Sequence, residues 1–139
     1  MIEDMSQLKS TLKRVEFFNY LNFSQLDELI NALKKVNAKK GEVIIKQVDI
    51  GDKFYIIASG EVSIHKKKGF GGAKKVAVLG DGDFFGEIAM ITDLPRTATV
   101  VAEKPSVLYV LNKNAFRRLL LANPKINQMI QDAIFSRKG

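Results

Sequence analysis

Turn-forming residues punctuate the middle of this chain at intervals of roughly ten residues, and that spacing narrows the fold more than any other feature. The breaks are Gly41, Gly51-Asp52, Ser59-Gly60, Gly69–Gly72, Gly80–Asp83 and Lys104-Pro105. Between them lie short β-rich runs: Val43–Ile45, Phe54–Ile57, Val62–His65, Val76–Leu79, Ala98–Val101 and Val107–Leu111. Segments this short leave no room for a crossover helix between neighbours, so the pattern predicts a sandwich or barrel. We expect about eight antiparallel strands closing into a jelly roll, an architecture that limits exposed sheet edges. In one run Val62 and Ile64 alternate with Ser63 and His65, which predicts a strand with one solvated face.

Both ends of the chain carry a helical rather than an extended pattern. Residues 1–5 read as a frayed end. From Ser6, Leu8, Leu12 and Val15 recur at helical spacing. Phe17, Phe18, Tyr20, Leu21 and Phe23 form an aromatic connector expected to feed the core. Ser24 with Asp27 fits a capping box opening a helix with Leu26, Leu29, Ile30 and Leu33 on one face. At the other end, Asn112 is a candidate N-cap for a helix bearing Phe116, Leu119 and Leu120. Asn123-Pro124 supplies a cap and then proline at the first helical position of a last helix. Its stripe is Ile126, Met129, Ile130, Ala133 and Ile134. The expectation is one domain, mainly β with flanking helices: helices over 1–40, a β-roll over 41–111 and two helices over 112–139.

With 139 residues the chain can bury one core, and 46% hydrophobic with 27% charged residues fits a globular domain. The absence of cysteine removes disulfides, thiol catalysis and thiolate metal sites. The acidic start lacks an apolar signal core, and runs such as Val107–Leu111 are too short to span a bilayer. We therefore expect a cytoplasmic protein or domain without a membrane span. The formal charge of +7 is spread over Lys34-Lys35, Lys39-Lys40, Lys66–Lys68, Lys74-Lys75, Arg117-Arg118 and Arg137-Lys138. Such scattered pairs read as a solvated face rather than a nucleic-acid groove, with Gly69-Phe70-Gly71-Gly72 as a hairpin tip. A mild positive field still favours an anionic ligand. His65 is the single histidine and has no second histidine or cysteine to join it, so no metal site and no acid–base role are expected.

One stretch carries chemistry: FFGEIAMITDLPRTATV, residues 84–100. Gly86 permits a sharp turn or a close approach, and Ile88–Ile91 fits one or two turns of helix. Asp93-Leu94-Pro95 reads as a turn leading to Arg96 and Thr97. The N–H groups at the start of a short helix favour phosphate, and a guanidinium offers a planar fork that matches two phosphate oxygens. A carboxylate at the same place, Glu87, repels phosphate unless it accepts a bond from a sugar hydroxyl. Together they suit a sugar phosphate with a free hydroxyl. A surface Glu–Arg ion pair, worth little, has the same sequence signature.

The stretch resembles the phosphate-binding cassette of cyclic nucleotide-binding domains, F-G-E-(L/I)-A-(L/M)-x-x-x-x-P-R-x-A-(T/S)-V. Phe85, Gly86, Glu87, Ala89, Pro95, Arg96, Ala98 and Val100 fall in register. Upstream, Gly51, Asp52, Phe54, Tyr55, Ile56, Gly60 and Val62 resemble the same family's strand pair. The likeness extends over residues 8–139. It implies a jelly-roll sensor without catalytic activity whose ligand is cyclic AMP or cyclic GMP, with no cofactor. It implies that Arg96 grips the cyclic phosphate, helped by the N–H groups of Ala89 and Thr97 and the Thr97 hydroxyl. Glu87 and the Gly86 backbone are then at the ribose 2′-OH. Ile88 and Ala98 complete the ligand-binding set, Ile64 is a base contact, and Arg137 stands where some members place a residue over the base. The last helix acts as a mobile lid in that family, passing the signal to an effector this sequence does not identify. The alternative is a catabolite-activator-type regulator without its DNA-binding domain.

Overall fold

The computed structural model describes residues 2–67, 71–86 and 95–138, with side chains given outside 2–5, 16–17 and 133–138. Among these residues, eight strands form two four-stranded antiparallel sheets. They are β1 (Lys34–Ala38), β2 (Val43–Ile45), β3 (Lys53–Ser59), β4 (Val62–Lys66), β5 (Lys74–Leu79), β6 (Phe84–Phe85), β7 (Thr99–Ala102) and β8 (Ser106–Asn112). One sheet runs β1-β8-β3-β6, the other β2-β7-β4-β5. Helices α1 (Ile2–Arg14) and α2 (Phe23–Ala32) precede the roll, with a 3-10 turn at Glu16–Tyr20 between them, and α3 (Lys113–Ala122) and α4 (Pro124–Lys138) follow it.

The first sheet is covered on both faces, and strand alternation sorts its side chains between two cores. Phe54, Ile56 and Ala58 of β3, with Tyr109 and Leu111 of β8, meet the helical core of Leu8, Leu12, Phe116 and Ile126. Ile57 and Leu108 point the other way, onto Ile45, Val62, Val100 and Ala102 of the second sheet. The β3 and β8 runs are therefore nearly continuously apolar, as strands buried on both faces are. Phe54 is fully buried, with its ring centroid 4.7 Å from that of Phe116 and 5.6 Å from that of Phe84.

The caps at the C-terminal end follow the sequence. Asn112 Oδ1 accepts from the Ala115 N–H at 2.9 Å, and Asn123 Oδ1 accepts from the Ile126 N–H at 3.2 Å. Asn123 also ties the two ends of the chain together. Its Nδ2 donates to the Tyr20 carbonyl at 3.2 Å and to Gln25 Oε1 at 3.3 Å, while Gln25 Nε2 donates to the Ala122 carbonyl. Lys125 adds a cation over the Tyr20 ring, 4.4 Å from its centroid. Ile126 and Ile130 are fully buried, so α4 is docked through its first two turns.

Four readings of the sequence need correction. The first helix begins at Ile2, not Ser6. The second is capped by Asn22 rather than Ser24, because Asn22 and Gln25 exchange the capping-box bonds, and Phe23 then projects into solvent instead of the core. Strands begin at Lys34, inside the segment read as helical. The run Lys34-Lys35-Val36-Asn37-Ala38 has a single buried residue, Ala38, so nothing in its polarity announces a strand. It is held by its register on β8, from Lys34↔Val110 to Ala38↔Ser106, and its lysines suit an edge. Lastly, the outer face of β4 is not uniformly wet. Ser63 is 0% exposed, and its Oγ lies 2.8 Å from His65 Nε2. A row of Val43, Val101, Ser63 and Val78 crosses that sheet, with Val101 and Val78 directly flanking the serine. The tip at residues 68–70 lies outside the described residues.

Candidate functional site

Arg96 stands just before β7, where the second sheet meets the end of the first. Its side chain is 9% exposed. Charge is seldom buried without hydrogen-bond partners. Here Nη2 donates to the Lys53 carbonyl at 2.7 Å and Nη1 to the Gly86 carbonyl at 3.0 Å. Lys53 opens β3, and Gly86 follows β6, which pairs with β3 through Tyr55↔Phe85 and Ile56↔Phe84. Two adjacent strands thus present carbonyls that orient the guanidinium. Carbonyls so placed fix the plane of the guanidinium.

Gly86 is required on two counts. Its φ is +89°, a conformation costly for a residue with a Cβ. A Cβ built there would lie 2.9 Å from the Lys53 carbonyl oxygen and 3.0 Å from Arg96 Nη1, in the space the guanidinium uses. Below it the Tyr55 ring stacks on Phe85, centroids 4.9 Å apart and planes 7° from parallel. Burial pushes the Tyr55 phenol above its ordinary value. The nearby Arg96 charge opposes that rise, and Asp52 adds to it.

The Arg96 main chain is held as well. Its N–H donates to the Asp49 carbonyl at 2.7 Å, and its carbonyl accepts from the Val48 N–H at 2.8 Å. Thr97, exposed, and Ala98, half-buried, follow into β7. Gly86 and Arg96 are therefore brought into contact. Ile64 is half-buried on β4, opposite Val100 of β7, and packs on the inter-sheet core. Glu87, Ile88 and Ala89, and the short helix expected over Ile88–Ile91, lie outside the described residues. Arg137 falls within α4, but its side chain is outside the description.

The sequence did not point to Lys53, Val48 and Asp49, because they act through main-chain atoms. Their side-chain identities carry no signal of it. Glu103, on the outer face, has its carboxyl held below the usual range by Lys75, whose Nζ is 2.9 Å away, and next by Ser63. Among the described residues no group of three His, Cys, Asp or Glu side chains is placed to hold a metal ion, and no helix is long and apolar enough to cross a membrane.

A family model described as "Cyclic nucleotide-binding domain" matches residues 35–123. A cAMP-dependent protein kinase regulatory subunit from Blastocladiella emersonii is 30% identical over 131 residues, covering 94% of this chain and 32% of that protein. A cGMP-dependent protein kinase from Eimeria tenella is 40% identical over 118 residues, covering 84% of this chain and 11% of that protein. Among solved structures, the regulatory domain of Toxoplasma gondii PKA with cAMP superposes with a TM-score of 0.78 at 31% identity, covering 84% of this chain and 44% of that one. The chain thus spans a third or less of the length of these two curated relatives.

Proposed function

The chain belongs to the cyclic nucleotide-binding domain family, and we propose that it captures a 3′,5′-cyclic nucleotide, cyclic AMP or cyclic GMP, as a non-catalytic sensor or regulatory domain. The observation that carries this reading is Arg96: a buried guanidinium, aimed by the Lys53 and Gly86 carbonyls, within the cassette register. A cyclic phosphate is an anion, and the planar fork of a guanidinium matches two of its oxygens. Gly86 and Glu87 then serve the ribose 2′-OH. Ala89, Thr97, Ile88 and Ala98 complete the phosphate side, with Ile64 and Arg137 toward the base. Relatives that are kinases or kinase regulatory subunits support a cytoplasmic location and a protein effector.

The signal leaves through α4. A ligand shifts a conformational equilibrium only by its differential affinity for the two states, so the segment that reports it must differ between them. The first two turns of α4 are anchored by Ile126 and Ile130, which supports placing the proposed change in the later turns of the helix.

Calorimetric titration of the chain with cyclic AMP and then cyclic GMP tests the reading. We expect one site per chain, both nucleotides bound with cyclic AMP modestly favoured, and the nucleotide recovered unhydrolysed. Amide exchange should slow at Gln128–Ser136 on saturation. No heat and no thermal shift with either nucleotide at millimolar concentration would remove the proposal.

A further inference from the structure

Val48 is the one non-glycine residue among those described with a positive φ, +72°. A β-branched side chain in the left-handed region is a genuine outlier. The turn around it explains the requirement. The Asp49 N–H donates to the Lys46 carbonyl at 3.2 Å, closing a four-residue turn with Val48 in third place. Positive φ at that place alone is the type II arrangement, which favours glycine or asparagine there. Nothing in packing offsets the strain, for the Val48 side chain is 73% exposed.

What the strained turn does is hold Arg96. The Val48 N–H and the Asp49 carbonyl together form both main-chain bonds to Arg96, at 2.8 and 2.7 Å. The Val48 N–H lies in the peptide plane before Val48 and the Asp49 carbonyl in the plane after Asp49, so φ and ψ of Val48 help set how the two groups face Arg96. Returning Val48 to negative φ would swing one group away from the other, and the two bonds could not both be kept. Resting on the reading of Arg96 as the phosphate residue, we infer that Val48 is a positioning residue whose strained turn sets how fully the arginine is placed for binding. The strain makes the pinned arrangement only part of the unliganded population, and apparent affinity falls by that fraction. Valine here weakens the domain's grip on its ligand without touching it.

The experiment uses the full chain with two substitutions and two readouts: amide exchange at Arg96 without ligand, and calorimetric Kd for cyclic AMP. Val48→Gly removes the strain and no packing. It should protect the Arg96 amide more strongly and tighten binding by about five- to thirtyfold, the scale of left-handed strain in a residue with a Cβ. Val48→Pro forbids the positive φ and removes the N–H, and should weaken binding at least about tenfold, one factor of ten being a small loss for a displaced charged contact. A merely structural turn would raise the melting temperature of Val48→Gly and leave Kd within about twofold of the parent; that result overturns the inference, as does unchanged exchange at Arg96. If the parent itself binds no cyclic nucleotide, the proposed function falls, and the exchange arm still decides whether the turn holds Arg96.

Discussion

The two sheets of this roll are built from similar residues but live under different conditions. β3 and β8 lie at the centre of a sheet pressed between helices and a second sheet, so all but one residue of each is buried or half-buried. β4 and β5 belong to a sheet covered on one face, and Val76 and Val78 of β5 stand half in solvent. Arg96 sits on the seam: its main chain leads into β7 of the half-covered sheet, while its guanidinium is held by carbonyls at the ends of β3 and β6. The covered sheet supplies a fixed reference, and the partly covered sheet leads to the residue proposed to meet the ligand.

Three substitutions test that division. Phe54→Ala strikes the centre of the covered sheet and should cost about 3–5 kcal/mol of stability, read as a lowered denaturation midpoint. A loss below about 1 kcal/mol would mean the helical core closes readily over the gap. Arg96→Ala strikes the seam. Truncating one side of a desolvated charge contact costs about 2–5 kcal/mol, so cyclic nucleotide binding should weaken roughly 30-fold or more, with a smaller fall in melting temperature than Phe54→Ala. Binding within about threefold of the parent would move the phosphate elsewhere. Val78→Thr, on the solvated face, should change stability by less than about 0.5 kcal/mol. A larger loss would show that Val78 shields Ser63 more than its exposure suggests.

The same contrast explains which elements are legible in the sequence. The apolar runs of β3 and β8, the alternation in β4 and the asparagine caps at 112 and 123 leave plain marks, because burial and capping act on side-chain type. β1 leaves none: four of its five residues are exposed, and pairing to β8 makes it a strand. Asn22 is hidden as a cap because Ser24 and Asp27 offer an equally valid pattern two residues later. At the site, Gly86 and Arg96 are legible as a glycine and a guanidinium in the right register. The carbonyls of Lys53, Gly86 and Asp49 are not, since every residue has one. The neighbours that flank the buried Ser63, Val101 and Val78, come from two other strands, which no local pattern contains.

The clasp at Asn123 gives α4 the mechanics of a lever. Its base is fixed by bonds to Tyr20 and Gln25, and the buried Ile126 and Ile130 carry that fixture on to a fulcrum at Ile130. The eight residues of α4 beyond Ile130 make an arm of about 12 Å at 1.5 Å per residue. Tilting such an arm by roughly 10° carries its tip about 2 Å, while atoms at the fulcrum move a few tenths of an ångström. Small displacements near the fulcrum are therefore multiplied along the helix, and the amplification is set by the length of α4 rather than by the strength of any contact. Shortening the arm from its far end would lower the gain in proportion and leave the fulcrum untouched.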